Sequence, residues 1–179
     1  MSRKRSFLPL LAALALAVVA LAACGSSESN DVNEGEPVRL GDLEFNVTFS
    51  RFLNPNDTED SAYLVGQPEP PKGESYFGVF FEVQNESDEV QQLPTEMTVT
   101  DAEENEFEPV ESESIYALEL GGDVPGEEQI PILDSPAQQG PIEGSVVIVL
   151  LPEEASANRP LVLHIPGPDG EEGNVTLDL

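Results

Sequence analysis

The stretch FGVFFEV, residues 77–83, carries an apolar side chain at every second position. This spacing is the period of a β-strand that turns one face toward a core. The same alternation occurs at residues 43–49, 161–165 and 175–177. Residues 145–151 (SVVIVLL) are apolar without alternation, which predicts a central strand or one whose outer face is covered.

Shorter apolar runs predict further strands, at residues 62–65, 90–93, 97–100, 107–110 and 115–118. The chain also contains 16 Pro and 14 Gly, which suit many short strands joined by turns. We therefore predict an all-β fold, an antiparallel β-sandwich, in one domain at residues 38–179. The side chains predicted to point into its core are Phe45, Phe49, Phe77, Phe81 and Val83.

The charge balance excludes some classes of partner. The chain has 35 acidic and 7 basic residues, a formal net charge of −28, and three of the bases lie in the first five residues. Phosphate contacts need clustered Lys and Arg, so we expect no nucleic acid as a partner. The single cysteine excludes an internal disulfide and a cysteine-based zinc site.

The N-terminal segment has the organisation of a secretory signal. Arg3-Lys4-Arg5 precedes an apolar run from Phe7 to Ala23, which at 17 residues is shorter than the roughly 20 needed to span a membrane. The run ends in Leu21-Ala22-Ala23-Cys24-Gly25, which resembles a bacterial lipobox. This resemblance implies cleavage between Ala23 and Cys24 and a diacylglyceryl group, labelled by palmitate, on the Cys24 thiol.

A lipid anchor at this position predicts the domain organisation. Residues 1–23 would be the signal peptide, and residues 24–37 the lipidated cysteine with an acidic tether. The tether is small, polar and nearly free of apolar side chains, so we expect it to be disordered. Two acyl chains hold a protein stably at a membrane, which predicts a cell-membrane lipoprotein that faces outside the cytoplasm.

Residues 76–87 (YFGVFFEVQNES) resemble a widespread, uncharacterised bacterial lipoprotein domain family. Residues 97–101 match the strand of this family that ends in Asp, and residues 140–152 match its segment of a glycine, an apolar strand and a proline. Residues 161–165 and 175–179 match its last two strands. The resemblance implies an immunoglobulin-like fold of the immunoprotective-extracellular type and no established activity. The family often has a glycine soon after the Asp of the turn, and here Asn105 is expected to take the left-handed conformation instead.

The sequence contains no pattern that indicates catalysis. His164 is the single histidine, and its position between Leu163 and Ile165 places it on the outer face of a strand. We find neither a nucleophile motif nor a phosphate-binding glycine loop, and so expect no enzyme activity and no cofactor.

Calcium is the metal that the abundant carboxylates favour. The candidate ligands are Asp57, Glu59 and Asp60 in one loop and Asp101 and Glu103 in another. An EF-hand is excluded because position six of the second loop is Glu106 rather than glycine. The leading expectation is a non-catalytic binding or structural module with an unknown protein or envelope partner, and the alternative is an envelope calcium- or cation-binding module.

Overall fold

The computed structural model describes residues 30–178, and the predicted signal peptide and Cys24 lie outside this range. Within it, twelve strands alternate with turns: β1 Asp31–Asn33, β2 Val38–Leu40, β3 Leu43–Leu53, β4 Glu74–Asn85, β5 Gln91–Gln92, β6 Thr98–Thr100, β7 Glu106–Phe107, β8 Asp123–Val124, β9 Gln129–Ile130, β10 Ser145–Pro152, β11 Leu161–Pro166 and β12 Glu172–Leu177. One short helix, α1, covers Asp60–Tyr63, and 3₁₀ turns cover Glu153–Ser156 and Pro168–Gly170.

Two sheets enclose the main core. One has the strand order β1-β12-β11-β6-β7, and the other has the order β10-β4-β3-β2 with β9 also paired to β4. All named ladders are antiparallel except β1–β12, which is parallel. The two inner faces bury side chains such as Phe45, Phe77, Phe81, Val99 and Leu163 between them. The prediction of an all-β sandwich is confirmed.

Strand β10 is buried on both faces because a second core lies outside its sheet. Val146 and Ile148 pack there with Tyr63 and Phe80, while the alternate side chains of β10 face the main core. The segment at residues 109–118 pairs with the free edge of β10 through three backbone hydrogen bonds: Val110 N to Ile148 O (2.8 Å), Leu118 N to Val146 O (2.9 Å) and Val146 N to Tyr116 O (2.7 Å). The side chains of the second core supply the predicted cover over the outer face of this strand.

The prediction that Phe49 points into the main core is wrong. The pairing of β3 with β4 shifts register between Val47 and Phe49, which is the signature of a β-bulge. Val47, before the bulge, faces the core. The extra residue reverses the alternation after it, so Phe49 lies on the outer face and is 42% exposed. Phe80 shares that face and is buried in the second core.

Part of the segment that was predicted to be a disordered tether, residues 24–37, forms a strand. Residues 31–33 form β1, in which Asp31 pairs with Asn174 and Asn33 with Thr176 of β12. Glu34 then accepts hydrogen bonds from Ser50 N (3.0 Å) and Asp178 N (3.0 Å). The folded domain therefore begins by residue 31 and not at 38, because backbone pairing orders a segment that has almost no apolar side chains.

Two shorter predicted strands are absent from the described range. Residues 60–63 form α1 where a strand was expected at 62–65, and residues 115–118 contribute only an isolated bridge from Ala117 to Val146. Within residues 30–178, we find no helix with the length and apolar character needed to cross a membrane.

Candidate functional site

Three of the predicted metal ligands lie in one loop, and two of them, Glu59 and Asp60, contact the guanidinium group of Arg51. Asp60 is only 3% exposed, and both of its carboxylate oxygens accept hydrogen bonds from Arg51. Asn54 N donates a third hydrogen bond to Asp60, at 2.8 Å. Glu59 lies 3.8 Å from the same guanidinium. A buried carboxylate needs such a partner, so Arg51 and Asp60 fix the loop to the end of β3.

Asp57 has a local structural role in this loop. Its Oδ1 accepts hydrogen bonds from Glu59 N (2.9 Å) and Asp60 N (3.3 Å), at the start of α1. This contact satisfies backbone N–H groups that a helix leaves unpaired at its first turn. A calcium ion at this loop would compete with Arg51 for Asp60 and with these N–H groups for Asp57 Oδ1.

An open hollow of about 590 Å³, the Phe49 hollow, lies against this loop. Its lining residues are Phe49, Arg51, Phe52, Asn54, Asp57, Glu59, Asp60 and Ile142. The lining combines apolar side chains with carboxylates and one guanidinium.

The second predicted ligand cluster lies in the other sheet, directly after β6. Asp101 accepts hydrogen bonds from Glu103 N (2.9 Å), from Asn105 N (3.0 Å) and from the Asn105 side-chain amide (2.9 Å). These hydrogen bonds hold the pKa of Asp101 below its usual range, and the bond from the Asn105 side-chain amide has the largest effect. Glu104 and not Asn105 takes the left-handed conformation, at φ 63°. The loop is thus a turn closed by Asp101.

The described residues bring no larger ligand set together. Between residues 30 and 178, no group of three or more Asp, Glu, His or Cys side chains is arranged to hold a metal ion. The candidates Asp57, Glu59 and Asp60 follow β3 of one sheet, whereas Asp101 and Glu103 follow β6 of the other.

His164 lies partly exposed on the outer face of its sheet, as the alternation predicts. Its Nε2 is 2.8 Å from Thr100 Oγ1, and its Nδ1 is 2.7 Å from Asn174 Oδ1. The Asn174 amide donates to Asp31 Oδ1 at 2.8 Å, so Nδ1 of His164 is the donor to Asn174. The network joins four neighbouring strands, from β6 to β1, and His164 does not line the Phe49 hollow.

A smaller polar hollow of about 220 Å³ lies on the outer face of β3 and β4. It is lined by Pro37, Glu44, Asn46, Glu82, Val83, Gln84 and Gln129. Asn46 Oδ1 is buried there without a hydrogen-bond partner within the described range. Glu44 is held by Arg39 at 2.9 Å.

The apolar half of the Phe49 hollow was not predicted from the sequence. Phe49 was assigned to the core, and Arg51, Phe52 and Ile142 were not singled out. A signal was available for Arg51, since it is one of four basic residues after residue 23 and lies nine positions before Asp60. No signal in the alternation marked the bulge that turns Phe49 outward.

Comparisons with known proteins identify the fold. No family model matches the chain, and no curated protein gives a significant sequence match. An uncharacterised β-sandwich protein of Clostridium difficile 630 is similar in structure, with a TM-score of 0.51 and 13% identity over 83% of this chain and 93% of that one. The yjhA protein of Bacillus subtilis gives a TM-score of 0.55 and 15% identity over 82% of this chain and 99% of that one.

A third structure is more distant. It is ycdA of Bacillus subtilis subsp. subtilis str. 168, described as a candidate lipoprotein, with a TM-score of 0.47 and 9% identity over 82% of this chain and 39% of that one. Similarity at this level carries no argument about function, and the resemblance to the lipoprotein domain family stays a prediction. The comparisons place this chain among β-sandwich proteins by its fold alone.

Proposed function

We propose that the protein is a lipid-anchored lipoprotein on the outer side of the cell membrane and acts there as a non-catalytic binding module. The observation that carries the proposal is the lone cysteine of the chain, Cys24, at the end of a basic and apolar export segment and in a lipobox sequence. The β-sandwich that follows would be the part presented to partners.

The ends of the sandwich support a binding role for the Phe49 hollow. Asp31 pairs with Asn174 near the start of β12, and Glu171 accepts a hydrogen bond from Gly41 N in the β2–β3 turn, at 3.2 Å. The chain therefore joins the domain at the end where β3 begins. The loop of the hollow follows the other end of β3, an 11-residue strand about 36 Å long.

This arrangement would direct the hollow away from the membrane. Six residues from Cys24 to Asn30 can span at most about 20 Å, so an anchor on Cys24 keeps the near end of the domain close to the bilayer. The loop after β3 would then lie at the end of the domain that is directed away from the lipid. The surplus of acidic residues opposes contact between the domain and an anionic lipid surface.

Palmitate labelling tests the anchor. Cells that express the chain should incorporate palmitate into it and retain it in the detergent-extractable membrane fraction. Cys24→Ala should abolish the label and move the protein to unprocessed or soluble pools, whereas Ser26→Ala should leave both unchanged. Equal labelling of the Cys24→Ala chain would disprove the anchor.

A further inference from the structure

The Phe49 hollow combines an exposed aromatic ring with an excess of carboxylates. Phe49 is 42% exposed, and its ring rests against Phe80 at a centroid distance of 6.4 Å. Ile142 adds a second apolar side chain to the lining, whereas Phe52 lines the hollow from a position where it also packs on the main core. An aromatic face that is open to solvent beside carboxylates attracts a cation, which interacts with the ring and with the opposite charge together.

The charges that line the hollow leave a negative surplus. Arg51 forms its forked contact with Asp60, so the one cation of the lining is already neutralised. Asp57 and Glu59 remain on the rim, and the Glu59 side chain is 51% exposed. A ligand with a cationic head and an apolar stem complements this lining better than a neutral or anionic ligand does.

We propose that the Phe49 hollow binds an extended segment of a partner protein that is rich in lysine or arginine. One cationic side chain of that segment lies with its stem on Phe49 and Ile142 and its charged head toward Asp57 and Glu59. The assignment rests on the proposed binding role and adds the chemistry of the partner. The net charge of −28 steers such a segment to the domain before it docks.

The main competing explanation is unspecific attraction between a basic peptide and an acidic protein, so the test uses matched variants. Phe49→Ala with Glu59→Gln removes one ring and one charge from the hollow. Val90→Ala with Glu89→Gln removes an apolar side chain that is 62% exposed and an exposed charge just beyond β4, at the opposite end of the sandwich. Both double variants change the net charge equally.

The probe is a fluorescent eight-residue peptide of alternating lysine and alanine, titrated by anisotropy into the full chain in non-ionic detergent at about 0.15 M NaCl, where the Debye length is about 8 Å. The hollow variant should bind it at least about 10-fold more weakly, which corresponds to the loss of one ring contact and one charge contact. The control variant should bind within about 2-fold of the parent chain. A peptide of alternating glutamate and alanine should not bind.

Equal weakening in both double variants would overturn the proposal, because it would indicate general attraction. No binding by the parent chain would also overturn it, as would displacement of the peptide by an equal concentration of spermine. Phe49→Leu, which retains the apolar stem contact, gives a variant with less risk of misfolding and should weaken binding about 3–5-fold through loss of the ring. The Cys24→Ala chain should bind the peptide with the affinity of the parent chain. Failure of the lipid-anchor proposal and failure of the peptide-binding proposal can therefore be distinguished.

Discussion

Neighbouring aromatic residues in β4 serve two different cores. Phe81 is buried between the sheets, whereas Phe80 is buried outside them against Tyr63, with ring centroids 5.1 Å apart. Phe49 lies across from Phe80 on the outer face but keeps much of its ring exposed. At the scale of single residues, burial therefore follows the face of the sheet and the cover over that face, and not hydrophobicity alone.

Truncation of two phenylalanines should have very different effects on stability. Phe81→Ala should lower the free energy of unfolding by about 3–5 kcal/mol, the usual effect of emptying a buried aromatic site. Phe49→Ala should lower it by less than about 1 kcal/mol, because the ring is partly exposed. Urea unfolding of both variants measures the difference, and similar losses would mean that the bulge in β3 is misplaced.

The Asp101 carboxylate should contribute a pH-dependent part of the stability. Its pKa is lowered in the folded state by the Asn105 amide, so the contribution is complete above the unfolded pKa near 4 and is lost as the pH falls through the lower folded value. Asp101→Asn should therefore destabilise the protein at pH 7, and the difference from the parent should shrink below about pH 4.

The neighbouring Glu103 provides the control for this measurement. It is exposed, and Glu103→Gln makes the same change in charge without removing the acceptor that closes the turn. In thermal melts from about pH 7 to about pH 2, the difference in stability from the parent should shrink with falling pH for Asp101→Asn and should show no such change for Glu103→Gln. A difference between Asp101→Asn and the parent that stays constant with pH would contradict the assigned role.

At the scale of elements, β1 is the least expected part of the fold. Only Val32 of its three residues packs on the main core, so no apolar alternation marks it in the sequence. Its order comes from pairing with β12 and from Glu34, whose carboxylate also accepts a hydrogen bond from Ser50 Oγ. The segment connects the first described residues to both sheets.

Removal of this segment should destabilise the domain. A chain that begins at residue 38 should lose about 2–4 kcal/mol of unfolding free energy relative to one that begins at residue 30, because the contacts of Glu34 are charge-assisted hydrogen bonds. Glu34→Gln in the longer chain should produce a smaller loss of the same sign. Identical urea midpoints for the two chains would contradict a stabilising role for residues 30–37 and would favour the predicted tether up to residue 37.

The strands that could be predicted are those whose alternation reflects burial on one face. Residues 77–83 and 161–165 are of this kind, and both lie within observed strands. The bulge could not be predicted, because Thr48 is held there by carbonyl groups distant in sequence, Phe80 O at 3.3 Å and Glu143 O at 3.4 Å. The carboxylates of the candidate site could be predicted because they cluster in the sequence. The exposed position of Phe49 could not, because it depends on the bulge.

At the scale of the whole molecule, charge is the dominant feature. After residue 23 the chain has 35 acidic residues and four basic ones, so most carboxylates have no cation within reach. Repulsion among them is stronger in the compact state than in the expanded chain, and it opposes folding. Such repulsion is long-ranged in dilute buffer and screened by salt.

The melting temperature should therefore rise with NaCl, as the screening length falls from about 30 Å at 0.01 M to about 8 Å at physiological strength. MgCl₂ and CaCl₂ at equal ionic strength should have similar effects to each other. A melting temperature that is flat in all three salts would contradict a destabilising role for charge repulsion. A large rise in calcium alone would favour the calcium-binding alternative, because a specific ligand stabilises the state that binds it.

The central claim is a lipid on Cys24, and mass spectrometry of the N-terminal peptide tests it most directly. We predict that the chain extracted from membranes begins at Cys24 and that this residue carries a diacylglyceryl group. A chain that begins at any other residue, with a free thiol on Cys24, would contradict the claim.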